Sequence, residues 1–82
     1  MEKTYTVYVL QSEQNGSFYK GMTENIPARL KQHNAGKTKS TQSKRPWRVV
    51  YTEAFKTAEE ARAREKYFKT AAGRRFLKKV LA

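Results

Sequence analysis

The dipeptide Asn15-Gly16 sits between two runs of β-forming residues, and it narrows the folds open to this chain more than any other feature. Residues Thr4 to Gln11 alternate, with Tyr5, Val7 and Val9 on one side and Thr6, Tyr8 and Leu10 on the other. Ser17 to Met22 then resumes an extended, aromatic pattern. Asn-Gly tolerates positive φ at both central turn positions, so the two runs close into a hairpin. With 82 residues and no cysteine to form a disulfide or a thiolate metal site, the chain buries only about 60 to 65% of its unfolded surface, and the expectation is one domain over residues 1–82 with one compact core.

The rest of the chain supplies helices and one more strand. Asn25 caps a helix that has Pro27 in its first turn, Ile26 and Leu30 as an apolar pair, and Ala35-Gly36 as its stop. Lys37 to Pro46 is polar, basic and without hydrophobic periodicity, and reads as a mobile loop. Trp47 to Phe55 makes a third strand, and Thr57-x-x-Glu60 is a capping box that opens a second helix. Gly73 is expected to separate this helix from a third, which runs from about Arg74 with Phe76, Leu77, Val80 and Leu81 on one side. The order β-β-α-β-α-α predicts an α+β fold, a small three-stranded antiparallel sheet flanked by three helices, whose strand order the sequence does not reveal.

Lys and Arg number 18 against 7 acidic residues, for a net charge of +11. That excess calls for a polyanionic partner, with nucleic acid foremost. No acid falls between Glu24 and Glu53, while Arg29, Lys31, Lys37, Lys39, Lys44, Arg45 and Arg48 all do. The N-terminal residues fit no signal peptide and no stretch fits a membrane span, so a cytoplasmic setting is the expectation.

Some positions carry more than charge. Glu65 falls within the helical stripe of Ala58, Ala61 and Phe68, where an ionised carboxylate needs a cation, hydrogen-bond donors or a metal. Arg29 and His33 lie four apart on one helix face and can meet the same phosphate. Tyr8 and Tyr19 occupy the paired strands of the hairpin. All seven acids are glutamates. Only Glu59 and Glu60 are adjacent, and they diverge by 100° around a helix, so a two-metal carboxylate cluster is disfavoured and a single-carboxylate site is left. No phosphate-binding glycine loop, His-Glu-x-x-His or cysteine metal pattern occurs, which removes an NTPase and a zinc hydrolase.

Taken in order, Thr6-Val7-Tyr8, Tyr19-Lys20-Gly21, Ala28-Arg29-Leu30-Lys31-Gln32-His33-Asn34, Arg45-Pro46-Trp47, and Arg64-Glu65-Lys66 with Lys69 resemble the motifs of GIY-YIG endonucleases over nearly the whole chain. The likeness is to the small standalone URI-type members and, more distantly, to the nuclease domain of the UvrC excinuclease. Thr6 replaces the glycine of the first motif, and Lys20 the isoleucine of the second. The resemblance implies a metal-dependent DNA endonuclease in repair or recombination. Tyr8 and Tyr19 would lie at the active surface with His33, Arg29 on the scissile phosphate, and Glu65 as the sole protein ligand of Mg²⁺ or Mn²⁺. Lys20, Lys37, Lys39, Lys44, Arg45, Arg48 and Lys69 would contact the nucleic acid backbone.

Either Tyr8, with its pKa lowered by Lys20, Arg29, His33 and the metal, or His33 serves as the general base. Gly21 either opens the surface beside Tyr19 to DNA or eases strand packing. A monomer is expected, one site cutting one strand. RNA fits the same charge. A second reading keeps the fold as a non-catalytic nucleic-acid-binding module. A third, an adaptor displaying Trp47, Tyr51 or Phe55, carries little weight because aromatics on a strand usually serve the core.

Overall fold

The structure, a computed structural model, describes residues 3–81. Three antiparallel strands, β1 (Tyr5–Ser12), β2 (Phe18–Thr23) and β3 (Trp47–Phe55), lie in the order β2-β1-β3. Helix α1 (Ile26–Asn34) joins β2 to β3, and α2 (Ala58–Phe68) and α3 (Ala71–Val80) follow. The architecture is the expected α+β order, with β1 at the centre of the sheet.

Alternation along β1 divides the molecule in two. Val7 and Val9 point to one face, where Ala61, Phe68 and Leu77 of α2 and α3 cover them, and all five are buried. Tyr8 and Leu10 point to the other face and pack with Trp47 beneath Ile26 and Leu30 of α1. Each large apolar side chain so buried contributes about 1.5–3 kcal/mol, so these two clusters hold the three layers together. Tyr51 and Phe55 are half-buried against the first cluster and Trp47 belongs to the second, which leaves an adaptor no aromatic patch on β3.

Several local expectations change. In the hairpin only Gly16 has positive φ, +77°. The turn is longer than two residues, with Ser12 N–H donating to the Ser17 carbonyl at 2.8 Å and Gly16 N–H to the Ser12 carbonyl at 2.9 Å. The cap of α1 is as expected, with the Asn25 side chain accepting from Ala28 N–H. At the start of α2 the Thr57 hydroxyl accepts from Glu60 N–H and donates to the Glu60 carboxylate, so the two side chains bond to each other instead of forming a reciprocal box.

Gly73 does not separate α2 from α3. The break falls at Lys69 and Thr70, and Thr70 caps α3 by accepting from Gly73 N–H at 3.1 Å. Gly73 lies inside α3 because a Cβ there would run into the Tyr67 carbonyl oxygen at the end of α2. Its role is close helix approach.

The segment from Lys37 to Pro46 is not the unstructured loop its composition suggests. It contains a short 3-10 helix, Gln42–Lys44, and is tied at three points. Ser12 Oγ donates to the Lys44 carbonyl at 2.7 Å, Glu13 N–H to the Pro46 carbonyl at 2.9 Å, and the Trp47 indole N–H to the Thr41 carbonyl at 2.8 Å. Among the described residues no helix is long and apolar enough to cross a membrane.

Candidate active site

Tyr8 lies at the centre of β1, directly opposite Gly21 of β2. Its ring extends across Gly21, where a Cβ would collide with the phenol hydroxyl and ring carbons. Gly21 is therefore a glycine to make room for a tyrosine from the neighbouring strand. This settles in favour of packing the choice the sequence left open.

Helix α1 brings Arg29 and His33 onto that tyrosine. The helix is fixed against β3 by Asn34, whose side-chain oxygen accepts from Trp47 N–H at 2.6 Å and whose amide donates to the Trp47 carbonyl at 3.0 Å. The residue before Asn34, His33, is fully buried. Its Nε2 lies 3.1 Å from the Tyr8 hydroxyl, and its Nδ1 lies 2.8 Å from Thr41 Oγ1.

The direction of these hydrogen bonds follows from the donors available. A guanidinium can only donate, so Arg29 Nε–H donates to the Tyr8 oxygen at 3.2 Å. The phenolic proton is then directed to His33 Nε2, which accepts. The neutral ring carries its own proton on Nδ1 and donates it to Thr41 Oγ1. Thr41 donates onward to the Thr38 carbonyl at 3.2 Å. Every member is satisfied, and among the described residues no buried side-chain nitrogen or oxygen lacks a partner.

Burial pushes the Tyr8 pKa up, and it outweighs the hydrogen bond and charge of Arg29 that pull it down; the charges of Tyr19 and Glu65 add to the rise. Of the side chains expected to lower it, Arg29 does, while Lys20 and His33 are not among the charges acting on it. Burial, followed by the charge of Arg29, pushes His33 below its usual 6.5 and leaves it neutral at neutral pH. The hydrogen bond to Tyr8, helped by both tyrosines, holds Arg29 above its usual value. A neutral imidazole accepting from a protonated phenol can take that proton when the phenol gains another.

Tyr19 completes an aromatic group. Its ring lies 4.9 Å from His33 and 6.4 Å from both Tyr8 and Trp47, centroid to centroid. Glu65 on α2 is near enough for its charge to act on Tyr8, and its Oε2 accepts from Lys69 Nζ at 3.1 Å. Arg64, its neighbour in the motif, turns away by 100° and serves the core. Its guanidinium donates twice to Glu53 and stands 4.8–4.9 Å from the rings of Tyr67, Phe68 and Phe76.

The donor set bears on a metal. Among the described residues no three His, Cys, Asp or Glu gather in one place, so Glu65 would bring one hard carboxylate. That suits Mg²⁺ or Mn²⁺, since Mg²⁺ typically takes one or two protein carboxylates and fills its shell with water and phosphate oxygens.

Of the positions singled out in the sequence, Tyr8, Tyr19, Arg29 and His33 come together, and Glu65 stands within electrostatic reach. The cations scatter. Lys37, Lys39 and Lys44 are exposed and have no ion-pair partner among the described residues. Arg45 is anchored, its Nε–H on the Gln42 carbonyl at 2.8 Å and its guanidinium over Gly36. Arg48 donates to the Gln11 side chain at 3.1 Å. Lys20 lies on the opposite face of the sheet from Tyr8, near Lys69 and Arg74, and is not among the charges acting on that tyrosine. Thr41 was missed. It is fully buried, yet it sits in a run of Ser and Thr that no local pattern sets apart.

A three-stranded sheet with paired tyrosines on two strands and an arginine, a histidine and a glutamate brought from two helices is a nuclease-type architecture. The model of the GIY-YIG catalytic domain matches residues 4–79, and the chain belongs to that nuclease family. The protein SH2523 of Staphylococcus haemolyticus, of the group designated UPF0213, is 42% identical over 98% of this chain and 96% of its own length. A UPF0213 protein of Lacticaseibacillus paracasei is 44% identical over 82% of this chain and 75% of its own length. The solution structure of the UPF0213 protein BH0048 of Bacillus halodurans superposes with a TM-score of 0.57 at 36% identity, over 94% of this chain and 82% of that one. Membership implies a nucleic-acid substrate.

Proposed function

We propose that this chain is a metal-dependent endonuclease that hydrolyses DNA phosphodiester bonds, using Tyr8, His33, Arg29 and Glu65. The observation that carries the reading is the directed chain from Arg29 through Tyr8 and His33 to Thr41, with one carboxylate, Glu65, close enough to act on the same tyrosine. Glu65 also pairs with Lys69 one turn on, and it is its reach to Tyr8 that favours a role at the site.

Arg29 spends one N–H on Tyr8 and another on Gln32, and its remaining donors can engage a phosphate, which then stands beside the Tyr8 hydroxyl. As water attacks phosphorus, its proton passes to the Tyr8 oxygen and the phenolic proton passes to His33 Nε2. The new bond is from water oxygen to phosphorus, and the bond to the 3′ oxygen breaks. Arg29 stabilises the charge gathering on the phosphate oxygens. A metal ion held by Glu65 would supply Lewis-acid stabilisation of phosphate and leaving-group charge. Lys69, which now pairs with Glu65, would yield the carboxylate to that ion. In this reading His33, which accepts from the Tyr8 hydroxyl, is the base and Tyr8 the relay.

Cleavage of labelled single-stranded, duplex and branched DNA, with and without Mg²⁺, tests this. Wild type cuts only with metal, and Glu65→Ala lowers cleavage by at least about 100-fold while still binding. Salt-sensitive binding with no cleavage of any substrate would instead favour the non-catalytic binding module, for which Lys37, Lys39 and Lys44, exposed and without an ion pair among the described residues, speak.

A further inference from the structure

Phe18 is the one exposed aromatic ring among the described residues, 43% exposed at the start of edge strand β2. It points away from Tyr19, toward α3, and lines a cleft of about 260 Å³ with Lys20, Arg74, Leu77 and Lys78. Leu77 forms a buried floor, and the three cations surround the ring. None of the three has an ion-pair partner among the described residues. Burial first, and then the charges of Arg74 and Lys69 nearby, push the Lys20 pKa down.

Lys69 joins this cleft to the candidate active site, since it bonds Glu65 on one side and its charge reaches Lys20 on the other. Positive charge thus runs from Lys69, beside Glu65, to Lys20 and Arg74, with Lys78 lining the same cleft. Nonspecific single-strand sites combine such a cationic track with an aromatic ring on which a base stacks. A duplex buries its base faces in its own stack, so an exposed ring in a cleft fits an unpaired nucleotide.

We infer that the Phe18 cleft holds an unpaired DNA segment continuous with the strand being cut, one base stacking on Phe18 and its phosphates meeting Lys20, Arg74 and Lys78. This inference rests on the nuclease reading and adds a preferred substrate form, DNA with a single-stranded tail.

The test is binding of the full chain, without divalent metal so that nothing is cut, to a blunt duplex and to the same duplex with a short oligothymidine tail. Wild type binds the tailed form more tightly. Phe18→Ala weakens the tailed form on the order of tenfold, as loss of one stacked base does, and leaves the blunt duplex within about twofold. Phe18→Trp keeps tail binding, and its added fluorescence is quenched by the tail. Lys20→Gln with Arg74→Gln lowers tail affinity and reduces its salt dependence by roughly 0.7 in slope per charge removed. Equal binding of both duplexes by wild type, or equal weakening of both by Phe18→Ala, overturns the inference while leaving the nuclease reading intact. Absence of binding to either form removes both.

Discussion

On one face of the sheet Val7 and Val9 meet Ala61, Phe68 and Leu77, all apolar; on the other Tyr8 meets His33 and Arg29, with Thr41 behind them. One strand supplies both, a residue at a time. The apolar face tolerates imprecise geometry, because the hydrophobic effect has no direction. The polar face does not, since each buried donor there needs a named acceptor and losing one costs about 1–3 kcal/mol. Stability is concentrated where α2 and α3 pack, and chemistry where α1 packs, with Glu65 alone reaching it from α2. The division predicts that the two can be damaged separately.

The largest effect is expected from His33→Ala, which removes the acceptor of the Tyr8 proton. Cleavage should fall by about 10²–10⁴-fold, the usual worth of a general base, with DNA binding retained in a filter or anisotropy assay. Wild-type cleavage should also decline on the acid side, with its inflection below 6.5, because His33 is depressed below its usual 6.5 and is active only when neutral. The same shift bears on folding. The unfolded chain protonates His33 more readily than the folded one, so stability declines as pH falls below 6.5 and levels off below the folded value. Denaturant titrations across that range will read the slope.

Phe68→Ala, on the apolar face, should cost about 3–5 kcal/mol of stability, read by urea unfolding. Its cleavage rate per folded molecule at low temperature should stay close to wild type. A selective loss of rate would break the division between the faces. A smaller effect sharpens it: Thr41→Val leaves His33 Nδ1–H without an acceptor and should cost about 1–3 kcal/mol. Its loss of cleavage should be smaller than that of His33→Ala, because Nε2 still accepts from Tyr8.

How much of this was legible in the sequence depended on how local each cause is. The hairpin, the Asn25 cap with Pro27 and the third strand could be read because turn, cap and alternation are written in neighbouring residues. Gly73 was misread because glycine breaks helices by backbone freedom and also admits close helix contacts, and only the position of the Tyr67 carbonyl distinguishes the two. The order β2-β1-β3 and the burial of Thr41 come from contacts distant in sequence. At the site, Arg29 and His33 were legible as a helical pair and Glu65 as an oddity on an apolar stripe. The direction of the proton chain was not, because it depends on Arg29, Tyr8 and Thr41 meeting from three segments. Composition likewise made the 37–46 segment look free, when Ser12, Glu13 and Trp47 hold it.

The central claim, that the α1 face is a catalytic face built on the Tyr8 hydroxyl, is tested most directly by the Mg²⁺-dependent cleavage rate of Tyr8→Phe at saturating DNA. That change deletes one oxygen and leaves the ring lying over Gly21. The account predicts a loss of at least about 100-fold in rate with DNA affinity unchanged. Cleavage at the wild-type rate would contradict it.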